Sequence, residues 1–347
     1  MNAPTGTRRI LLALCSLIAL CGPSRGDEPA AATLAKPGKR LERTGDEIMV
    51  CGQLYHTTTP VILWSDPGGY DAYRLEPRFK PLQATAPPAK KEDTQPPLRS
   101  TFGLRRRHLS SEELERVRGG GWDLPTLQKA VDQFVIHYDV CGTSRRCFEV
   151  LHDLRGLSVH FMLDADGTIY QTLDLKEQAW HATIANSRSI GIEIANIGAY
   201  PPAHSKTLEQ WYRAGDDGKT ILTIPGEAER NSLRDRGALL RPARNERVEG
   251  VIQGQTLAQY DLTEPQYQAL IRLTATLCTI FPQIRCDYPK DASGKLIPAK
   301  LPPEPLENYH GILGHYHVQT NKTDPGPAFQ WDRVVEGARG LMTPGAP

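Results

Sequence analysis

Net charge is nearly absent from this sequence: 41 Lys and Arg stand against 40 Asp and Glu, a formal balance of +1. So even a balance excludes an electrostatic drive towards nucleic acid or an anionic membrane surface. Long apolar runs are lacking too. The stretch from Ile10 to Leu20 falls short of the roughly 20 residues that a stable transmembrane helix needs. No CxxC spacing occurs, which argues against zinc held by cysteines, and no internal repeat is visible. With 28 prolines and 30 glycines the chain reads as a loop-rich globular protein and not as a helical bundle. Its 347 residues suffice for one large domain or two small ones with a proper core.

What is present begins with an export signal. Arg8 and Arg9 precede the apolar run, and "PSRG" offers small residues for cleavage near Gly26, so residues 1–26 read as a signal peptide. Cys21 raises lipid anchoring, which the bulky Leu20 before it disfavours. The expected location is therefore the periplasm or cell envelope. Export permits disulfides, and five cysteines follow the signal: Cys51, Cys141, Cys147, Cys278 and Cys286. Close spacing suggests Cys141–Cys147 and Cys278–Cys286, with Cys51 left over, although sequence does not fix connectivity.

Residues 27–42 look like a flexible tether, and 43–124 like a β-rich extension ending in a proline-rich linker over 82–97. "SSEELERVR" (110–118) carries a capping box, Ser110 with Glu113, that opens a helix. From about 125 the pattern becomes mixed α/β. "QFVIH" (133–137) predicts a buried strand, "CFEVLHDLRG" (147–156) a helix, and "VHFMLDADGTIYQTL" (159–173) a hairpin. "SIGIEIAN" (189–196) predicts a strand, 200–255 a polar and irregular surface insertion, and 263–281 an amphipathic helix. A last helix starts within "GPAFQWDRVVEGA".

One stretch, "GHYHVQTNKTDPGPAF" (314–329), crowds His315, His317, Lys322 and Asp324 together. A catalytic zinc takes three protein ligands from His, Asp or Glu and keeps one position open. His315 and Asp324 supply two if the loop between them returns, and His137 supplies a third. Lys322 would then aim positive charge where an oxyanion develops. Glu193 would take a proton from water as general base. Each residue also has a plainer reading. A histidine closing a strand is more often structural, Glu193 alternates away from Ile192 and Ile194 towards water, and 315–324 suits a solvated loop. On the residues alone both readings stand.

Four blocks in order tip the balance: "FVIHYD", "LSVHFMLDADGTIYQTLDLKEQAWHA", "NSRSIGIEIAN" and "GHYHVQTNKTDPGPAFQW". Together they resemble the zinc-dependent N-acetylmuramoyl-L-alanine amidases of the amidase-2 group. That group includes anhydromuramyl-peptide amidases and is related to the peptidoglycan recognition proteins. The resemblance spans 133 to about 335, interrupted by the insertion.

It implies an α/β fold, a mixed central β-sheet flanked by helices, over 125–340. It also implies one Zn2+ held by His137, His315 and Asp324, with Glu193 as base and Lys322 as electrostatic residue. His181, Asn186 and Arg188 are the implied substrate contacts. "HYDVCGTSRRC" is similar to the short disulfide loop of the recognition proteins, which supports Cys141–Cys147. Val159 stands where some members carry a catalytic tyrosine, so more weight falls on Glu193. His160, His310 and His317 are expected to be structural or loop residues.

The implied activity is hydrolysis of the amide between N-acetylmuramic acid and L-alanine in peptidoglycan or muropeptides, by a monomer. A non-catalytic peptidoglycan-binding module, or the same fold cutting another amide, are the rival readings.

Overall fold

The computed structural model describes Met1 and residues 37–79 and 100–343. The signal segment, most of the tether and the linker over 82–97 lie outside the described residues. Among the described residues, the helices and strands belong to one compact unit, Arg43–Pro347. Among the described residues no helix is long and apolar enough to cross a membrane.

In chain order the extension supplies strands β1 (Glu47–Val50), β2 (Gln53–His56), β3 (Val61–Leu63) and β4 (Phe102–Leu104) and helices α1 (Ser111–Arg118) and α2 (Leu124–Ala130). Then follow β5 (Gln133–Tyr138), α3 (Ser144–Phe148), β6 (Phe161–Leu163), β7 (Ile169–Gln171), β8 (Glu177–Ala179) and β9 (Ser189–Ile194). The insertion holds α4 (Lys206–Trp211), β10 (Tyr212–Ala214), β11 (Thr220–Leu222), α5 (Glu227–Arg230) and β12 (Val248–Ile252), and β13 (Gln255–Gln259) leaves it. The chain closes with α6 (Glu264–Ile280), α7 (Pro303–Glu307), β14 (Gly311–Gly314), α8 (His315–Val318) and α9 (Trp331–Met342).

The central sheet has six strands in the order β14-β5-β9-β6-β7-β3. From β14 to β6 the pairs are parallel, β7 runs against β6, and β3 lies parallel to β7. The fold is thus the mixed α/β sheet expected, but β3 from the extension is its outermost strand. Alternation along the strands sorts side chains onto two faces. Phe134, Ile136, Ile190, Ile192, Ile194 and Ile312 share one core with Leu270, Leu273 and Leu277 of α6 and Val334 and Val335 of α9. Val135 and Leu313 face the other way, into a smaller cluster with Ala182 and Val318.

Local chemistry explains most helix limits. Ser110 accepts from the Glu113 amide at 3.1 Å while Glu113 accepts from the Ser110 amide at 2.9 Å, the capping box foreseen for α1. Thr263 and Gln266 make the same box for α6, with Pro265 in the first turn. The helix expected over 147–156 begins earlier, because Thr143 caps the Arg146 amide at 3.2 Å, and it continues as a π-helical turn over Glu149–Leu154. The insertion is less irregular than expected: it forms the β10–β11 hairpin and most of the β12–β13 hairpin, and it buries its own apolar clusters around Ile224 and Tyr212.

All five described cysteines are free. Cys141 and Cys147 are neighbours, as are Cys278 and Cys286, so the spacing argument found the partners. Neither pair is bonded in this structure.

Candidate active site

The four parallel strands end on one edge of the sheet, and that edge gathers the chemistry, as open α/β sheets do at their carboxyl ends. His137 lies near the end of β5, opposite Glu193 on β9 and on the same face. His315 follows β14 at once. Asp324 returns to it because the Tyr316 amide donates to the Asp324 carbonyl at 3.2 Å. That return passes close to Gly314, where an added Cβ would stand 2.7 Å from Pro325 Cδ. The insertion secures the loop from outside. The Gln253 side-chain amide donates to the carbonyls of Tyr316 and Gln319 at 2.8 and 2.9 Å, and Gln259 donates to that of Pro325 at 3.1 Å.

The result is a buried triangle. His137 Nδ1 lies 2.9 Å from His315 Nδ1 and 2.9 Å from Asp324 Oδ2, and His315 Nδ1 lies 3.0 Å from the same oxygen. As hydrogen bonds this set is frustrated. If both imidazoles donate to Asp324, two N–H groups face each other; if one does not, its lone pair faces the carboxylate. A single cation would take all three lone pairs at once. Three donors about 2.0–2.1 Å from a tetrahedral zinc stand about 3.3 Å apart, so the triangle needs to open by only a few tenths of an ångström. The donor set fits zinc.

The outer nitrogens of both histidines are held as metal ligands require. His315 Nε2 lies 2.6 Å from Gln319 Oε1, and His137 Nε2 lies 3.0 Å from His181 Nδ1. His181 in turn meets Ser189 Oγ at 3.2 Å. Its ring lies flat against Gly191, where a Cβ would come within 2.5 Å of it, so only glycine leaves His181 room to reach His137. Beneath this, the buried Arg105 from the extension donates to the carbonyls of Leu175 and Ser189 at 3.0 and 2.9 Å and meets His160 Nε2 at 3.0 Å.

Electrostatics separates the roles. Burial, reinforced by His315, pushes the His137 imidazole down to about 4, which keeps it neutral. Burial alone would raise the Asp324 carboxyl, but His315 and His137 overturn that and hold it well below the usual range. Burial pushes Glu193 well up, and the charges of Asp324 and Asp139 add to it, while Lys322 opposes. Glu193 Oε2 is inaccessible and has no partner among the described residues. Lys322 is half-buried, with its charge felt at both His137 and Glu193.

The structure therefore brings together His137, His315, Asp324, Glu193 and Lys322, and gives each of the three expected substrate contacts a partner within the protein. His181 holds a ligand histidine from behind. Asn186 Oδ1 accepts from the amides of His181 and Ala182 at 3.0 and 2.6 Å, fixing that turn. Arg188 is buried in a two-bond pair with Asp132, both bonds 2.5 Å, at the opposite edge of the sheet. His160 and His317 are buried and hydrogen-bonded, as expected of structural residues. Gln319, Gln253 and Arg105 went unforeseen. Only Gln319 left a signal, four residues after His315 on the same short helix.

Residues 127–233 match the family model described as N-acetylmuramoyl-L-alanine amidase, amidase-2. The match includes His137 and Glu193 and stops before His315, Lys322 and Asp324. No curated protein matches the sequence. Among solved structures, the chain is similar to an AmpD derivative (18% identity, 70% of this chain and 90% of that one, TM-score 0.31). It is also similar to the amidase AmiD from E. coli, solved with anhydro-N-acetylmuramic acid-L-Ala-D-gamma-Glu-L-Lys (19%, 60% and 57%, TM-score 0.32). A third similarity is to the endolysin amidase LysCS from Clostridium intestinale (15%, 61% and 86%, TM-score 0.33).

Proposed function

We propose that this chain, whose residues 127–233 match the amidase-2 family model, is a zinc-dependent N-acetylmuramoyl-L-alanine amidase. Its substrate is peptidoglycan or a muropeptide, and the bond cut joins the lactyl group of N-acetylmuramic acid to L-alanine. The observation that carries this reading is the frustrated triangle of His137, His315 and Asp324 beside the partnerless oxygen of Glu193.

His137, His315 and Asp324 hold the ion. Zinc, when bound, supplies a Lewis acid that polarises a carbonyl and acidifies water. Glu193 accepts the proton of the attacking water and delivers it to the departing alanine amine. A raised carboxyl suits that exchange, since burial makes it a stronger base than an exposed glutamate. Lys322 stabilises the tetrahedral oxyanion, an effect worth about 3–4 kcal/mol for comparable donors. Gln319 and His181 fix the ligand imidazoles so that Nδ1 faces the ion.

Export completes the reading, on the strength of Arg8, Arg9 and the apolar run that follows. An oxidising compartment would close the two thiol pairs. Mass spectrometry of muropeptides incubated with the mature protein tests the activity. Free stem peptide and intact glycan are expected, abolished by a chelator and restored by zinc. A zinc-loaded, folded protein that releases neither from anhydro or reduced fragments would overturn the enzyme in favour of a binding module.

A further inference from the structure

At the far side of the sheet, over β7 and β3, lies a cavity of about 440 Å³ that the metal triangle does not use. Its walls come from both additions to the family core: Tyr70, Arg78 and Phe79 from the extension, and Arg234 and Arg236 from the insertion. We propose that this cavity binds a phosphorylated saccharide, with Arg78, Arg234 and Arg236 on the phosphate and the phenols of Tyr70 and Tyr170 on the sugar. The site lies apart from the amidase reaction and does not depend on it.

The charge is real and largely uncompensated. Arg234 and Arg236 are exposed, and neither they nor Arg78 forms an ion pair among the described residues. Arg78 is held in place from two sides. Its guanidinium lies 4.9 Å from the Tyr70 ring centre and 5.5 Å from that of Phe79, and it donates to the Gly69 carbonyl. Arg145 also lines the cavity but is paired with Glu229 at 2.6 Å, so it shapes the wall without adding free charge.

Neither Asp166 nor Asp235 forms an ion pair with these arginines. Asp166, in the β6–β7 turn, accepts from the Asp235 amide at 2.9 Å, and Asp235 accepts from the Gly237 amide at 3.0 Å. Asp164 is felt at both phenols, yet burial pushes it up to about 8, which leaves it neutral at pH 7.

The floor is aromatic and rigid. Tyr70 and Tyr170 are 4% and 3% exposed, and their rings pack with centres 4.6 Å apart. Neither hydroxyl is hydrogen-bonded within the described residues and neither is among their buried unpartnered atoms, so both meet solvent at the cavity, which a ligand hydroxyl would replace. Three guanidiniums suit the oxygens and double charge of a phosphate better than one carboxylate. The volume leaves room for a sugar ring beyond the phosphate.

Calorimetry on the full chain tests this with glucose 6-phosphate, inorganic phosphate and glucuronate as probes. Saturable binding of glucose 6-phosphate is expected. It should weaken at least about tenfold in the exposed double variant Arg234→Gln/Arg236→Gln and a few-fold in Tyr170→Phe. Inorganic phosphate should bind more weakly and ignore Tyr170→Phe. Displacement of the probe by a glycerol-phosphate polymer would assign the pocket to a wall-bound phosphate, and failure to displace it to a free sugar phosphate. Absence of saturable binding by either phosphate probe, undiminished binding in the double arginine variant, or glucuronate binding as tightly as glucose 6-phosphate would overturn the assignment. No readout uses turnover, so the amidase reading and this one fail separately.

Discussion

The two ends of strands β5 and β9 are built from the same kinds of residue to opposite effect. At their amino ends Arg188 and Asp132 are buried, and every strong donor of Arg188 is satisfied: two bonds to Asp132 at 2.5 Å and one to the Glu307 carbonyl at 2.6 Å. At their carboxyl ends His137 and Glu193 are cross-strand neighbours, yet one belongs to a triangle that hydrogen bonds do not satisfy and the other keeps an oxygen with no partner. Arg188 at one end and His137 and Glu193 at the other were all candidate site residues by sequence. What separates them is completeness. A satisfied buried charge locks a fold; an unsatisfied one is a cost that the fold retains for chemistry.

The sharpest way to break that comparison is to neutralise one group at each end. Glu193→Gln should lower amidase turnover about 10²–10⁴-fold, the usual range for a general base, while zinc content and melting temperature stay unchanged or rise. Retained turnover would remove Glu193 from its role. Arg188→Met should do the converse. It leaves Asp132 buried with only His310 Nδ1, 3.4 Å from Oδ2, beside it, so urea unfolding should show a loss of about 3 kcal/mol, with kcat per folded molecule kept. An Arg188 variant that is stable but inactive would return Arg188 to the substrate.

The next effect is smaller and lies one layer out. Gln319→Ala removes the acceptor 2.6 Å from His315 Nε2 without touching the triangle. Zinc affinity, read by competition with a chromophoric chelator, should fall about 10–100-fold while thermal unfolding of the metal-free protein barely moves. Equal losses in both would make Gln319 a plain structural residue.

This outer layer is also where the sequence ceased to be legible. His137 announces itself by ending an apolar run, α6 by its capping box, and the ligand loop by His315, Lys322 and Asp324 standing within ten residues. Those signals are local. Arg105 was invisible because its partners, the carbonyls of Leu175 and Ser189, lie 70 and 84 residues away and are backbone atoms that carry no side-chain signature. Gln253 holds the ligand loop from 63 residues upstream, inside what read as an irregular insertion. The buried pairing of Arg188 was invisible for the same reason, since its partner Asp132 lies 56 residues before it. Likewise β3 reads as a strand, but its pairing with β7 across 108 residues depends on which edge the hairpin leaves open.

A last test asks whether an orphaned buried acid marks function by itself. Asp164 follows β6, the fourth parallel strand to end on the catalytic edge, and accepts from the Ser144 amide at 2.6 Å through Oδ1, while Oδ2 has no partner among the described residues. Burial raises it from 3.8 to about 8. A raised acid binds its proton more tightly in the folded state, so this group's contribution is most favourable below about pH 4 and is lost as pH rises through about 8. In Asp164→Asn the amide oxygen still accepts from Ser144 and nothing ionises. The variant and the parent should match in stability near pH 4, and by pH 8–9 the variant should be ahead by several kcal/mol, on the order of 5. Turnover should be unchanged, because Asp164 is not among the groups around the triangle. Loss of turnover with that stability gain would mean that the proton route runs further along the strand edge than Glu193. Retained turnover would mean that lack of a partner becomes a mark of catalysis only beside the triangle.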